Sequence, residues 1–266
     1  MGRVTRLSYH AHSTDSDRSN SEGSLFDRVA HLLDRADYRR AESPAEREAI
    51  FRLRYQAYVR DGGILANASH TFSDAYDEIG NVFLFGVYID GELASSIRIH
   101  VASSQHPEFP TLDVFPDILQ PEIDAGKVIV DSTRFVADER LSRIHRALPY
   151  VTLRLGGMAA HHFHTDHLLA AVRPEHQAFY RRIFHHRLVG QPRPYPGLAK
   201  PISLMTADYQ RYVEQVHRRY PFFRSSLFER RMLFERHAPV GHDAALQVRE
   251  KSDPFVECEA PRLACG

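Results

Sequence analysis

The chain reads as an α/β protein built on one mixed sheet with helices on both faces. Three observations carry that expectation. Two apolar runs, Val82–Ile89 and Leu93–Val101, flank Asp90-Gly91, a dipeptide that favours the tight turn of an antiparallel hairpin. A third run, Lys127–Val136, precedes a mostly apolar helical stretch, Leu148–His164, and a short buried strand, Leu168–Val172; that order is a parallel crossover. A further helix, Pro174–Phe184, and a further strand, Leu198–Met205, continue the alternation. An antiparallel start joined to a crossover requires a mixed sheet.

The remaining elements follow from local pattern. Residues 1–23 are rich in Ser, Asp, Asn and His and are expected to be a disordered N-terminal segment. Leu25, Phe26, Val29, Leu32 and Leu33 have amphipathic spacing and predict a short helix ending near Asp37, with a brief strand over Tyr38–Glu42. Ser43-Pro44 supplies an N-cap and a proline at the first helical position. The helix that follows carries Ile50, Phe51, Arg54, Tyr55 and Tyr58 and stops at Gly62-Gly63. Residues 64–80 read as a polar loop. Residues 102–126 hold four prolines and are longer than a connection needs. From Ala207 to His237 two charged amphipathic helices break at Pro221. The expected organisation is a segment over 1–23, a catalytic domain over 24–206, and a helical extension with a tail over 207–266.

Bulk properties narrow the function classes. The 266 residues include 34 Lys plus Arg and 34 Asp plus Glu, so the formal net charge is zero, which argues against a dedicated nucleic-acid binder. The two cysteines, Cys258 and Cys265, lie near the C-terminal end, which predicts a reducing cytoplasm rather than a disulfide framework. No apolar run is long enough to span a bilayer, and no export signal is visible.

Five segments, in order, carry a family resemblance: FRLRYQAYVRDG at 51–62, FSDAYDEIGNVFLFG at 72–86, SSIRIHV at 95–101, VDSTRFVAD at 130–138 and VRPEHQAFYRRIF at 172–184. Together they resemble the Gcn5-related N-acetyltransferase (GNAT) superfamily. Within it they are similar to the N-acyl amino acid synthases of the FeeM type and, more distantly, to the acyl-homoserine-lactone synthases. The resemblance spans roughly 38–206. It implies a GNAT-like fold and an acyltransferase that makes an amide from an acyl thioester and an amino-acid amine. The lactone synthases carry Trp in their substrate region and this chain has none, which disfavours lactone formation.

One departure is informative. Acetyl-CoA enzymes of the superfamily follow their central strand with a glycine-rich loop that holds a diphosphate on backbone N–H groups. Here the residues after Phe135 hold no glycine before Gly156, but offer Arg140, Arg143 and Arg146. That exchange predicts a donor carried on the phosphopantetheine of acyl carrier protein, an acidic partner docking on those arginines, with acyl-CoA as the other possible donor. No permanently bound cofactor and no metal are expected.

Amide formation from a thioester needs a neutral amine, an oxyanion donor and a proton for the leaving sulfur. Asp131 and Asp77 are the candidates to orient or deprotonate the amine. Arg98 and Arg134 can each grip a carboxylate, one from the substrate and one internal. Tyr180 is the candidate acid toward sulfur, by likeness to the helix that presents a tyrosine in the superfamily. Asp131, Arg134 and Tyr180 form the expected catalytic set; Arg54, Tyr58, Asp74, Asp77, Arg98, Thr133 and Phe135 form the substrate-binding set. Backbone N–H groups of Thr133–Val136 would serve the oxyanion if that strand is bulged, as in the superfamily. Phe83, Phe85, Phe135 and Leu153 could line an acyl tunnel or be plain core.

Rival readings stay open at this point. His161, His164 and His167 share one face if the helix runs on, which makes a metal site conceivable. HHFHTD also contains the His-His-x-x-x-Asp word of another acyltransferase group. The basic, aromatic segments HRRY at 217–220 and ERRMLFERH at 229–237 suit a solvated face, carrier docking, or peripheral contact with an anionic membrane. At the level of function, the alternatives are an acetyl-CoA-dependent enzyme acting on a small amine and a catalytically silent module that binds acyl groups or a partner.

Overall fold

The computed structural model describes residues 24–235. The expectations for 1–23, Cys258, Cys265 and the end of the tail lie outside the described residues. Helix α1 (Leu25–Leu33) opens on a capping box, with the Ser24 hydroxyl accepting from the Asp27 amide, and leads into β1 (Ala36–Arg40). The helix is shorter than its apolar pattern allows because Asp34 caps it and the chain turns into the sheet. Helix α2 (Pro44–Arg60) starts at Ser43, where Glu46 completes a second capping box. A 3-10 turn, Ala75–Asp77, interrupts the expected polar loop; Asp74 caps it.

Strands β2 (Val82–Ile89) and β3 (Glu92–Ala102) form the hairpin, with Asp90 and Gly91 both at positive φ, 50° and 88°. A turn of that kind matches the twist of the flanking strands and favours Asp-Gly. The excursion beyond β3 folds into α3 (Pro110–Val114) and α4 (Pro116–Asp124), each begun by a proline whose missing N–H costs nothing there. Strand β4 (Ile129–Ala137), helix α5 (Glu139–Ile144), helix α6 (Leu148–His162) and strand β5 (His167–Val172) complete the crossover. Helix α7 (Gln177–Phe184) follows a 3-10 turn, Pro174–His176. Strand β6 (Arg187–Arg193) went unpredicted because Gly190 and Pro192 break its pattern, and it meets β7 (Ile202–Asp208) through shifted registers. Helices α8 (Tyr209–Arg219) and α9 (Leu227–Phe234) end the described chain.

The seven strands run in the order β1-β2-β3-β4-β5-β7-β6, antiparallel except for the β4–β5 pair. The α/β mixed sheet with helices on both faces is therefore as expected. Alternation along the strands sorts the two faces. Phe83, Phe85, Ile97, Ile99 and Val130 point into the main core beneath α6, together with residues of α1, α8 and α9. Leu84, Arg98, Ile129 and Asp131 point to the other face, which α2, α3 and α4 cover. The residues expected as an extension, 207–235, supply Val216, Phe222, Phe223, Leu233 and Phe234 to the main core.

Two irregularities shape the middle of the sheet. Between Arg98↔Thr133 and Ser96↔Val136 strand β4 carries one more residue than β3, so β4 is bulged at Arg134 and Phe135. Arg134 sits there at φ 54°, a left-handed conformation that a non-glycine residue rarely adopts. The parallel ladder to β5 stops at Ser132↔Ala170, so the bulged half of β4 has no ladder partner in β5.

Candidate active site

The bulge delivers an ion cluster to the α2 face. Arg54 of α2 grips Asp77 with one nitrogen at 2.8 and 2.9 Å from its two oxygens, and both side chains are fully buried. Arg98 of β3 donates to Asp74 at 2.5 Å and lies 3.2 Å from Asp77. Arg134 donates to the second Asp74 oxygen at 2.7 Å. The 3-10 turn is what aims both acids, because Asp77 also accepts from the Asp74 amide and Asp74 from the Tyr76 amide. Thr133 accepts from Arg98 Nε at 3.2 Å. Tyr58, one turn beyond Arg54, joins Phe72 and Tyr195 around the Arg134 guanidinium, at 5.7, 4.8 and 5.4 Å from the ring centres.

Charge and burial set the protonation of these groups. Burial acts to raise the Asp74 carboxyl, but Arg98 and then Arg134 overcome it and hold it at about 2. Asp77 is likewise lowered, burial being outweighed by Arg54 and Arg98. Asp131 differs. Burial pushes it up to about 6, against the pull of its Thr111 hydrogen bond and of Arg98. Thr111 of α3 donates to Asp131 Oδ2 at 2.7 Å, so the long proline-bearing excursion orients this carboxylate. His100, opposite Asp131 in the β3–β4 ladder, is held neutral by burial at about 3 and faces the Tyr76 carbonyl through Nε2 at 2.9 Å.

The cluster is incompletely satisfied. Among the described residues, its buried polar atoms without a partner are Arg54 Nε and Nη2, Arg98 Nη2, Arg134 Nε and Nη1, the Tyr195 hydroxyl, Asp131 Oδ1 and His100 Nδ1. Each such atom costs about 1–3 kcal/mol if nothing meets it, so the surplus marks a place for a polar ligand or water.

Residues 49–208 match the sequence profile of the family described as N-acyl amino acid synthase FeeM. The chain belongs to this family. As a member it is an acyltransferase with a GNAT-like fold, and the expected resemblance stands. The structure of FeeM, an N-acyl amino acid synthase from uncultured soil microbes, is similar with a TM-score of 0.56 at 20% identity, over 68% of this chain and 94% of that one. The CoA-dependent acyl-homoserine lactone synthase BjaI with MTA is similar at TM-score 0.49 and 14% identity, over 65% and 81%. An acyl-CoA N-acyltransferase from Pseudomonas aeruginosa gives 0.44 and 16%, over 64% and 98%. No curated protein sequence gives a match.

The remaining expected residues lie elsewhere. Tyr180 of α7 is half-buried against Ala170, Val172 and Met205, with rings of Phe179, Phe184 and His186 around it, on the far side of β5 from the arginines. Phe83 and Phe85 are closed in by Phe234 at 5.5 Å, and Leu153 is buried in the same core; Phe135 alone of the four keeps intermediate exposure. Arg140, Arg143 and Arg146 are exposed on or beside α5. Arg140 pairs with Glu92 and Arg143 with Glu139, so the arginines sit among acids rather than forming a bare basic patch.

The histidine readings change. Helix α6 ends at His162, His164 turns left-handed at φ 49°, and His167 lies on β5 with its Nε2 2.9 Å from Glu122. His161, His164 and His167 therefore do not share a helical face. Asp166 of the HHFHTD word accepts from the Val128 amide, a structural role in joining the two strands. Among the described residues no group of three or more His, Cys, Asp or Glu side chains is arranged to hold a metal ion, and no helix is long and apolar enough to cross a membrane.

Thr111, His100, Phe72 and Tyr195 escaped the sequence reading. The unusual length of the excursion was the available signal for Thr111, and the PYPG word at 194–197 the signal for Tyr195.

Proposed function

We propose that this acyltransferase joins a long acyl group, delivered as a thioester on acyl carrier protein, to the amine of a free amino acid. The observation that carries the reading is the inventory of unmet buried atoms. Donors on Arg98 and Arg134 suit a carboxylate, while the acceptors Asp131 Oδ1 and His100 Nδ1, opposite each other in the ladder, suit an ammonium. One α-amino acid answers both.

In this mechanism Asp131 takes one proton from the bound ammonium, which its raised pKa permits near neutral pH. The neutral amine attacks the thioester carbonyl; a C–N bond forms, and the oxyanion is met by N–H groups of the β4 bulge. The C–S bond then breaks. The sulfur takes up a proton from Tyr180, which is reprotonated from solvent, while the new amide nitrogen gives up its second proton to water. Phe135, at the half-exposed rim of the main core, is the assigned first contact of the acyl tail, with Leu153, Phe83 and Phe85 deeper.

The state of two helix starts supports a carrier-borne donor. Asp138 caps α5 by accepting from the Leu141 amide, which places a carboxylate where a phosphate would sit. At the start of α6 the Leu148, Tyr150 and Val151 amides are taken by backbone carbonyls and Pro149 has none. A diphosphate therefore meets a capping carboxylate at the start of α5 and engaged amides at the start of α6. The Arg140 and Arg143 pairs are exposed and so worth little, and they can be exchanged for carboxylates of an acidic carrier.

The test is to incubate purified protein with the twenty amino acids and either acyl carrier protein thioesters or acyl-CoA of the same chain length, reading products by mass spectrometry. The expected product is an N-acyl amino acid from the carrier thioester. Product from acyl-CoA alone withdraws the carrier, and no amide from either donor sinks the reading.

A further inference from the structure

Tyr195 lies in the connection between β6 and β7, and local contacts hold that connection in place. Pro194 and Pro196 flank Tyr195, and a tight turn follows in which Pro196 and Gly197 take the central places and the Leu198 amide donates to the Tyr195 carbonyl at 3.0 Å. Gly197 adopts φ 76°, which that turn demands of its third residue. The Ala199 amide then binds the Gly63 carbonyl at 2.9 Å, tying the connection to the end of α2. The ring is anchored in the second core with Phe109, Phe115 and Ile202 and is 6% exposed.

That anchoring leaves the hydroxyl buried without a partner, with the Arg134 guanidinium 5.4 Å from the ring centre and the charges of Arg134, Asp131 and Arg98 acting on the hydroxyl. Every acid of the cluster that could accept from it is already engaged, apart from Asp131 Oδ1. Donors thus outnumber acceptors around Arg134, and what completes them must bring acceptor oxygens. A carboxylate does so with four lone-pair sites.

We infer that the Tyr195 hydroxyl is a donor to the acceptor's α-carboxylate, alongside Arg98 and Arg134, and so selects free amino acids over their amides. This rests on the amino-acid reading above. A neutral hydroxyl held by a proline-bracketed turn adds direction that a guanidinium alone does not: it is fixed by backbone before the substrate arrives. An amide placed there would turn its NH2 toward a crowd of donors, which repels it.

The experiment compares Tyr195→Phe with the parent chain, using the best amino acid from the mass-spectrometric screen and its C-terminal amide as acceptors. The expected result is a fall of about ten-fold in the free-acid to amide ratio of kcat/KM, carried by KM for the free acid, the loss of one hydrogen bond to a charged group. The variant should also unfold at the same urea concentration as the parent or higher, because it removes an unmet buried hydroxyl; a structural tyrosine would lose stability instead. An unchanged ratio overturns the inference, as does an equal loss on both acceptors. If the parent itself does not distinguish free acid from amide, the carboxylate site fails as a whole, and that outcome is distinct from a failure of Tyr195 alone.

Discussion

Asp77 and Asp131 are carboxylates on one face of one sheet, held in opposite states by their neighbours. Asp77 meets Arg54 and Arg98, so its charge is favoured; at Asp131 burial outweighs the Thr111 hydrogen bonds and the pull of Arg98, so its charge is opposed. The pH dependences therefore have opposite signs. Asp74 and Asp77 have folded pKa values below the ordinary aspartate value of about 3.9, so their stabilisation is present above that pH and is lost as pH falls below it, for Asp74 through about 2. Asp131 has a raised folded value, so its contribution is present below about pH 4 and is lost as pH rises through about 6. Asp131→Asn should remove that loss, so that urea titrations show the variant gaining on the parent as pH rises from about 4 through about 6, with a constant difference above that. The same variant should lower kcat/KM at least about 100-fold and abolish the rising limb near pH 6; a retained limb would assign the base elsewhere. Asp77→Asn acts differently. It leaves Arg54 buried with no anionic partner, and a loss of about 3–5 kcal/mol is expected from urea unfolding.

At the scale of the element, the β4 bulge joins fold to chemistry. It turns Thr133 and Arg134 toward the α2 face in succession, where plain alternation would send Arg134 under α6. Arg134→Gly and Arg134→Ala both lose the guanidinium and should lose most amide synthesis. Only alanine keeps a Cβ at φ 54°, so it should be less stable than glycine there by about 1 kcal/mol in urea unfolding. Equal stabilities would mean that the bulge relaxes once Arg134 is gone. The legibility of the sequence divides along this line. The hairpin, the capped helices and the crossover were readable because Asp90-Gly91, Ser43-Pro44 and the apolar periods are local signals. Arg54, Asp74, Asp77, Arg98 and Arg134 were readable as candidates through family words, and the structure brings them together. Their pairing was not readable, because it depends on the bulge register and on the 3-10 turn. Strand β6 was hidden by its own prolines and glycine, and Thr111 by a segment that looked like a connection.

For the molecule as a whole, the question is whether α8 and α9 are an appendage or part of the cooperative unit. Arg154 of α6 donates to the carbonyls of Phe222 and Arg224 at 2.9 and 2.6 Å and binds Glu229 with two nitrogens, which clasps α9 to the crossover helix. Phe234 then enters the core, with its ring 5.5 Å from those of Phe83 and Phe85 and 5.8 Å from Phe163. Removing a buried phenyl ring costs about 3–5 kcal/mol through lost transfer energy and the cavity left behind. A domain holds only about 5–15 kcal/mol in total, so Phe234→Ala should remove a large share of it. The expected signature is one cooperative unfolding transition, coincident by near- and far-ultraviolet circular dichroism and shifted to lower urea, because a core shared with β2 cannot melt in part. If 207–235 were a detachable extension, the same substitution would split off a small early transition and leave amide synthesis intact at urea concentrations where that transition is complete. The rings of Phe83 and Phe85 argue for the first outcome, since they lose a packing partner on the sheet that carries the active site.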